Sequence, residues 1–297
     1  MQVRINRYIS ESGYCSRREA DKYIEQGAVT IDGKTAEVGS QVTTGQVVKI
    51  FGEVITNKVK SVIIAYNKPV GIVSTTDPDE RDNIIAAIGH EERIFPIGRL
   101  DKDSQGLILL TNEGDIVNKI LRANNSHDKE YLVTVNKAIT PDFVQRMQNG
   151  IPILGVVTRK CEIVPKGQNS FTIVLRQGLN RQIRRMCEYL GYKVTKLQRI
   201  RIMHIHLGDL KIGQYRNLTP HESELLYKKI ASSVKTKEAS KGKKKPTAPS
   251  PSAKPQATKN TARNIKSKST SSGRPTSGNI KTAKPTRNTS FRPRGKR

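Results

Sequence analysis

No tryptophan occurs in these 297 residues, and tyrosine and phenylalanine bring the aromatic content to only 5%. Acidic side chains are scarce too, 26 against 53 lysines and arginines, for a formal net charge of +27. The three cysteines, Cys15, Cys161 and Cys187, are odd in number and far apart. That excludes a disulfide framework and fits a reducing compartment. No apolar run approaches the ~20 residues of a membrane span, and MQVRINRYIS lacks the apolar stretch of a secretory signal. The expectation is a cytoplasmic protein with no membrane part. Five histidines make no ligand spacing with the cysteines, so no metal is expected; His204 and His206 merely alternate as on a strand. Also missing are a Walker-type loop, a GxGxxG between strand and helix, and a G-x-S-x-G turn. ATP-driven, dinucleotide-dependent and zinc-hydrolase chemistry therefore lack support, and an enzyme built this way works with side chains alone.

What is present is positive charge, unevenly placed. Residues 232–297 hold 19 lysines and arginines against one acid, Glu238, so this segment carries +18. They also hold half of the 14 prolines and a single aromatic, Phe291. Runs such as KGKKKPTAPSPSAKP cannot bury enough apolar surface to offset chain entropy, which predicts a disordered basic tail. It serves either as a solubilising extension or as an electrostatic arm for nucleic acid. No amphipathic or lipidation pattern points it to a membrane.

The first 51 residues read as a small basic α/β unit. Val3, Ile5, Tyr8 and Ile9 have helical spacing up to Gly13, and Ser16-Arg-Arg-Glu19 is a capping box that opens a second helix. AVTIDGKTA predicts a hairpin around Asp32-Gly33, and QVVKIF a further strand. Arg4, Arg7, Arg17, Arg18 and Lys22 fall outside the apolar positions, so they can share one solvent face on which RNA phosphates dock. Residues 52–61 read as a linker. From 62 to 231 strands outnumber helices and do not alternate regularly with them. The expected class is α+β, with a mixed, largely antiparallel sheet and flanking helices.

Three segments of that region carry chemistry. In GRLDKDSQG, Asp101 lies on a loop before the buried strand GLILLT, between Arg99 and Lys102. Cations beside a carboxylate favour its charged form, and such a group is a candidate nucleophile, although a turn residue paired with Arg99 explains the spacing equally well. In KEYLVTV, Tyr131 offers a flat ring to a base or is simply a half-buried strand residue. In GLNRQIRRM, Arg181, Arg184 and Arg185 crowd a helix start, as a phosphate site would.

Together with NKPVGIVST, these segments resemble the successive motifs of the pseudouridine synthases. The resemblance is to the branch that modifies ribosomal RNA and carries an N-terminal ribosomal-protein-type RNA-binding module, here with its SRREADKYI core. It spans about residues 2–230 and implies a cofactor-free isomerisation of a specific uridine to pseudouridine in large-subunit (23S) ribosomal RNA; a monomer is the separate expectation for the assembly, which the resemblance leaves open. Whether transfer RNA is also accepted stays open. By the same resemblance Asp101 is the catalytic aspartate, Tyr131 stacks on the target base, and Arg184 pairs with the aspartate. Arg99 assists beside it and Leu175 lines the pocket; for Arg181 and Arg185 the residues themselves read as a phosphate site. The alternative is a noncatalytic RNA-binding or ribosome-assembly protein, which charge, tail and module would serve as well.

Overall fold

The computed structural model describes residues 2–56, 60–121, 127–231 and 233. Apart from Ser233, the expected basic tail lies outside the described residues. Among the described residues no helix is long and apolar enough to cross a membrane.

The chain opens with β1 (Gln2–Arg4), α1 (Ile5–Glu11) and α2 (Arg17–Glu25). There follow β2 (Val29–Ile31), β3 (Lys34–Thr35), β4 (Gln41–Thr43), β5 (Val48–Ile50) and β6 (Glu53–Ile55). Ser16 and Glu19 close the capping box at the start of α2, satisfying two backbone donors that the helix cannot. Asp32 and Gly33 both take positive φ in the β2–β3 turn, as a two-residue hairpin requires. Ile5, Ile9, Ala20 and Ile24 of the two helices bury against Val29, Val48 and Ile50.

Two details depart from the sequence expectation. Val3 and Arg4 are not helical; they pair with Val42 and Gln41 in a two-stranded ribbon, because β4 offers an open edge before α1 begins. And β6, inside the segment that reads as a linker, extends the sheet to the order β3-β2-β5-β6.

The second region begins with β7 (Ile63–Lys68), α3 (Ile84–Ile88), β8 (Phe95–Pro96), β9 (Gln105–Thr111) and α4 (Gly114–Leu121). It continues through β10 (Lys129–Val135), α5 (Pro141–Asn149), β11 (Pro152–Ile153), β12 (Val156–Val157), β13 (Glu162–Gly167) and β14 (Ser170–Leu175). The last elements are α6 (Gln182–Tyr189), β15 (Val194–Ile202), β16 (Ile205–His206), β17 (Tyr215–Asn217) and α7 (Pro220–Ile230). Nine strands form one sheet along the path β13-β14-β10-β15-β9-β7-β17, with β8 beside β9 and β16 beside β15. All these pairings are antiparallel except β9 with β15.

Strand β9 explains its own composition. Leu107 and Leu109 pack with Ile116 and Ile120 of α4 and Leu226 of α7, whereas Ile108 and Leu110 pack on the opposite face with Ile84 and Ile88 of α3. A strand covered on both sides needs an unbroken apolar run, which is what GLILL supplies. The other half of the sheet buries Val133, Phe171 and Ile173 against Phe143 and Met147 of α5 and Met186 of α6.

The two halves meet at the parallel pair. Gly106, at φ +107°, faces Arg199 across it, and a Cβ at 106 would stand 2.3 Å from the Arg199 carbonyl oxygen. Only glycine permits that approach. The small hairpin β11–β12 carries no clear sequence signal beyond Leu154-Gly155, both at positive φ. His204 does not continue the strand as alternation suggested. It sits in the turn between β15 and β16, its Nε2 2.8 Å from the Glu222 carbonyl oxygen.

Candidate active site

The loop between β8 and β9 brings Asp101 to the sheet junction. Ser104 N–H donates to the Asp101 carbonyl at 3.0 Å, closing a turn. The loop is strapped from several sides. Ser74 Oγ donates to the Leu100 carbonyl at 2.9 Å and accepts from Leu100 N–H at 3.1 Å. Gly71 N–H donates to the Lys102 carbonyl at 2.8 Å, and Lys102 Nζ reaches Asp82 at 2.9 Å.

Beneath the loop, Lys68 is fully buried and donates to the carbonyls of Pro69 and Ile72 at 2.8 and 2.7 Å. Burial pushes its ammonium down to about 8, against the opposing pull of Asp101 and Asp103. A loop held this way presents its carboxylate without paying ordering entropy when a substrate arrives.

Asp103 is the ion-pair residue. Arg181 donates to its two oxygens from Nη1 at 3.0 Å and Nη2 at 2.9 Å, a fork that holds the carboxyl below its usual range. The same Nη1 lies 3.5 Å from Asp101 Oδ2. Arg181 adopts left-handed φ of 48° at the start of α6, which turns its guanidinium toward this loop.

The resemblance placed Arg184 on Asp101, and the geometry differs. Arg184 is buried and donates from Nη2 to the Asp103 carbonyl at 2.9 Å and to Ser104 Oγ at 3.2 Å, and from Nη1 to the Val194 carbonyl at 3.3 Å. Its Nε stands 3.3 Å from Asp103 Oδ2 without the alignment of a hydrogen bond. One helical turn into α6, Arg184 lies under the loop, and the cation beside Asp101 is Arg181.

A cleft of about 500 Å³ opens from this loop across the sheet. Arg99, Asp101, Tyr131, Leu175 and Arg181 all line it, together with Lys129, Gln177 and Arg199. The Asp101 side chain is 37% exposed and so within a substrate's reach. Tyr131 packs against the cores of both sheet halves, which fixes its ring at their junction. Leu175 is buried and pairs with Lys129 across β14 and β10. Arg99 is exposed at the mouth. Arg185 lies elsewhere and folds back on Asn180, its Nε donating to that carbonyl at 3.1 Å.

In the first region Arg4, Arg17, Arg18 and Lys22 are exposed. Arg7 is not available in the same way: it pairs with Glu11 at 2.7 Å and, across to α4, with Asp115 at 2.7 Å. It ties the two regions together. Sequence reasoning passed over Lys68, Ser74, Lys129, Gln177 and Arg199; the NKP segment held a signal for Lys68, whereas Arg199 becomes visible only through the pairing of β9 with β15.

Comparison with known proteins identifies the family. Residues 62–189 match the family model described as RNA pseudouridylate synthase, and residues 3–48 match the S4 domain. The chain is 58% identical over 246 residues to the dual-specificity RNA pseudouridine synthase RluF of Salmonella typhi, covering 82% of this chain and 85% of the relative. It is 32% identical over 232 residues to the ribosomal large subunit pseudouridine synthase B of Bacillus subtilis, covering 75% and 95%. Among solved structures, a crystal structure of a pseudouridylate synthase superposes with a TM-score of 0.56 at 28% identity, covering 75% of this chain and 99% of that one.

Proposed function

This chain belongs to the RNA pseudouridylate synthase family, and on that premise we propose that it converts a specific uridine of large-subunit ribosomal RNA to pseudouridine, using Asp101. The observation that carries the residue assignment is the single cleft that Asp101 and Tyr131 share, with the Asp101 loop held rigid by Ser74, Gly71, Arg181 and Arg184.

The reaction detaches uracil from the ribose at N1, turns it, and rejoins it through C5. Atoms and electrons balance without an electron carrier or an energy source. The Asp101 carboxylate either attacks C1′ or removes the neighbouring C2′ proton; each route consumes its negative charge. The C1′–N1 electron pair leaves with uracil; when C5 bonds to C1′, Asp101 is released from C1′ or returns the C2′ proton, the C5 hydrogen departs as a proton and N1 takes one up. Tyr131 holds the loose ring by stacking, worth about 1–3 kcal/mol per base. Leu175 supplies an apolar wall that limits water, which would otherwise trap the sugar as an abasic site.

The target nucleotide must first leave its stack, at roughly a few kcal/mol. Exposed Arg99 beside the cleft is placed to fill the vacated position or hold a flanking phosphate. Arg4, Arg17, Arg18 and Lys22 add remote contacts to RNA. Arg181 serves the Asp101–Asp103 loop before it serves a phosphate.

The Salmonella relative is named a dual-specificity enzyme, which supports a second RNA class for this chain, and transfer RNA is our candidate. We place the activity in the cytoplasm, where the three free cysteines stay reduced, and in a monomer, since one chain supplies every residue named. The test is mapping of pseudouridines in ribosomal and transfer RNA from cells with and without the protein. A site in large-subunit RNA disappears with it; an unchanged map in that RNA refutes the assignment.

A further inference from the structure

Two positive side chains in the cleft have no part in the scheme above. Lys129 and Tyr131 lie two residues apart on β10 and therefore on one face. Arg199 stands directly across from Tyr131, because a register shift at Glu130/Tyr131 makes β15 skip Ile200. Arg199 is buried, its Nε donating to the Leu107 carbonyl at 2.6 Å and its Cζ 6.0 Å from the Tyr131 ring centre.

The Arg199 Nη2 atom is buried without a hydrogen-bond partner among the described residues, and so is Gln177 Nε2 on the same cleft. Lys129 Nζ donates to the His127 carbonyl at 3.2 Å. The acid that acts on it, Asp128, is engaged by Arg176 at 2.7 Å. Burial, then the Arg199 charge, push Lys129 down to about 8, with Asp128 pulling the other way.

Two like charges and two unmet donors in a half-dry site cost stability unless something acceptor-rich and negative arrives. Uracil in uridine is neutral and has two carbonyl oxygens. After the C1′–N1 bond breaks it carries the electron pair as an anion spread over N1 and those oxygens. The negative charge that Asp101 gives up thus reappears on the ring, on either route.

We propose that Lys129 and Arg199, with Gln177, form a cationic wall that holds the detached uracil anion between departure from N1 and reattachment at C5. This rests on the reaction assigned above. Because the charge develops only as the bond breaks, the wall favours the transition state over the bound substrate. It also keeps the ring over Tyr131 while it turns, with Arg199 Nη2 and Gln177 Nε2 donating to whichever carbonyl faces them.

The experiment is single-turnover kinetics on an in-vitro transcript of large-subunit ribosomal RNA, with wild type, Lys129→Met and Lys129→Arg, repeated on a transcript made with 5-fluorouridine; both are read as loss of the N1-linked nucleoside, because fluorine cannot leave C5 as a cation and that transcript yields no pseudouridine. Lys129→Met removes the charge and keeps the apolar stem. The maximal rate falls about 100-fold or more while RNA affinity stays within about threefold. Lys129→Arg restores most of the rate. Fluorine at C5 stabilises the leaving anion, so the Lys129→Met deficit shrinks by about tenfold on the fluorinated transcript.

Should Lys129→Met fail to fold, Lys129→Gln repeats the comparison with a neutral polar chain. A rate within about threefold of wild type, an equal loss of rate and affinity, or the same deficit on both transcripts overturns the wall. No isomerisation by wild type overturns the reaction itself, a different result from an active enzyme indifferent to residue 129.

Discussion

Replacing Gly106 with alanine tests the idea that one close backbone approach assembles the site. The new Cβ would meet Arg199 O at 2.3 Å and Arg199 N at 2.7 Å, and neither can move without breaking the β9–β15 pairing. The residue also sits at φ +107°, where an L side chain is strained. Strain contributes about 1–3 kcal/mol, and the clash about 1–3 kcal/mol more.

Gly213→Ala separates the two contributions. Gly213 has φ +77° with nothing within 4 Å of a built Cβ, so it suffers strain alone. The excess for Gly106→Ala is then about 1–3 kcal/mol, or about 2–12 °C in melting temperature for a region of this size. Activity suffers further, since the clash displaces the Asp101 loop on one side and Arg199 on the other. A misplacement near 1 Å can cost about 100-fold in rate. Thermal unfolding and single-turnover isomerisation read the two effects. A Gly106→Ala protein that melts with Gly213→Ala and turns over at the wild-type rate refutes the reasoning.

Two other perturbations have definite outcomes. Truncation after Ser233 keeps its Oγ 3.1 Å from His127 Nε2 while removing the +18 of the tail. If that charge reaches RNA, the slope of log affinity against log salt flattens by about 0.7 for each single-strand phosphate that the tail neutralises; an unchanged slope shows that the tail stays off the RNA. Arg216 forks Glu222 at 2.7 and 2.8 Å and holds its carboxyl at about 2 instead of 4.5. A depressed carboxyl stabilises the fold above its unfolded value and loses that contribution as pH falls toward about 2. In denaturant titrations Glu222→Gln is therefore less stable than wild type at about pH 6, and the gap closes near about pH 2; a constant gap contradicts the pairing.

What was legible in the sequence was local. Ser16 with Glu19 announces its helix within four residues, and the capping box forms. GLILLT reads as a buried strand because its composition is set by cores on both faces.

The remainder depended on neighbours distant in the chain. Ser74 and Leu100 exchange hydrogen bonds across 26 positions, and Arg184 reaches Ser104 across 80. Spacing within GLNRQIRRM could not say which arginine would face Asp101, because that follows from the left-handed backbone at Arg181. Arg7 looked like its basic neighbours until α4 placed Asp115 against it. Arg199 owes its position to a register shift and to the absence of a side chain at Gly106, neither of which a linear pattern records.

The central claim is that one carboxylate performs the chemistry while the surrounding cations bring and hold RNA. Asp101→Asn keeps the size of the side chain and removes both nucleophile and base. Pseudouridine formation on the large-subunit transcript, measured beside RNA affinity in the same preparation, decides it. No product with affinity within about threefold of wild type is the predicted result. Pseudouridine formed by Asp101→Asn at the wild-type rate would contradict the account.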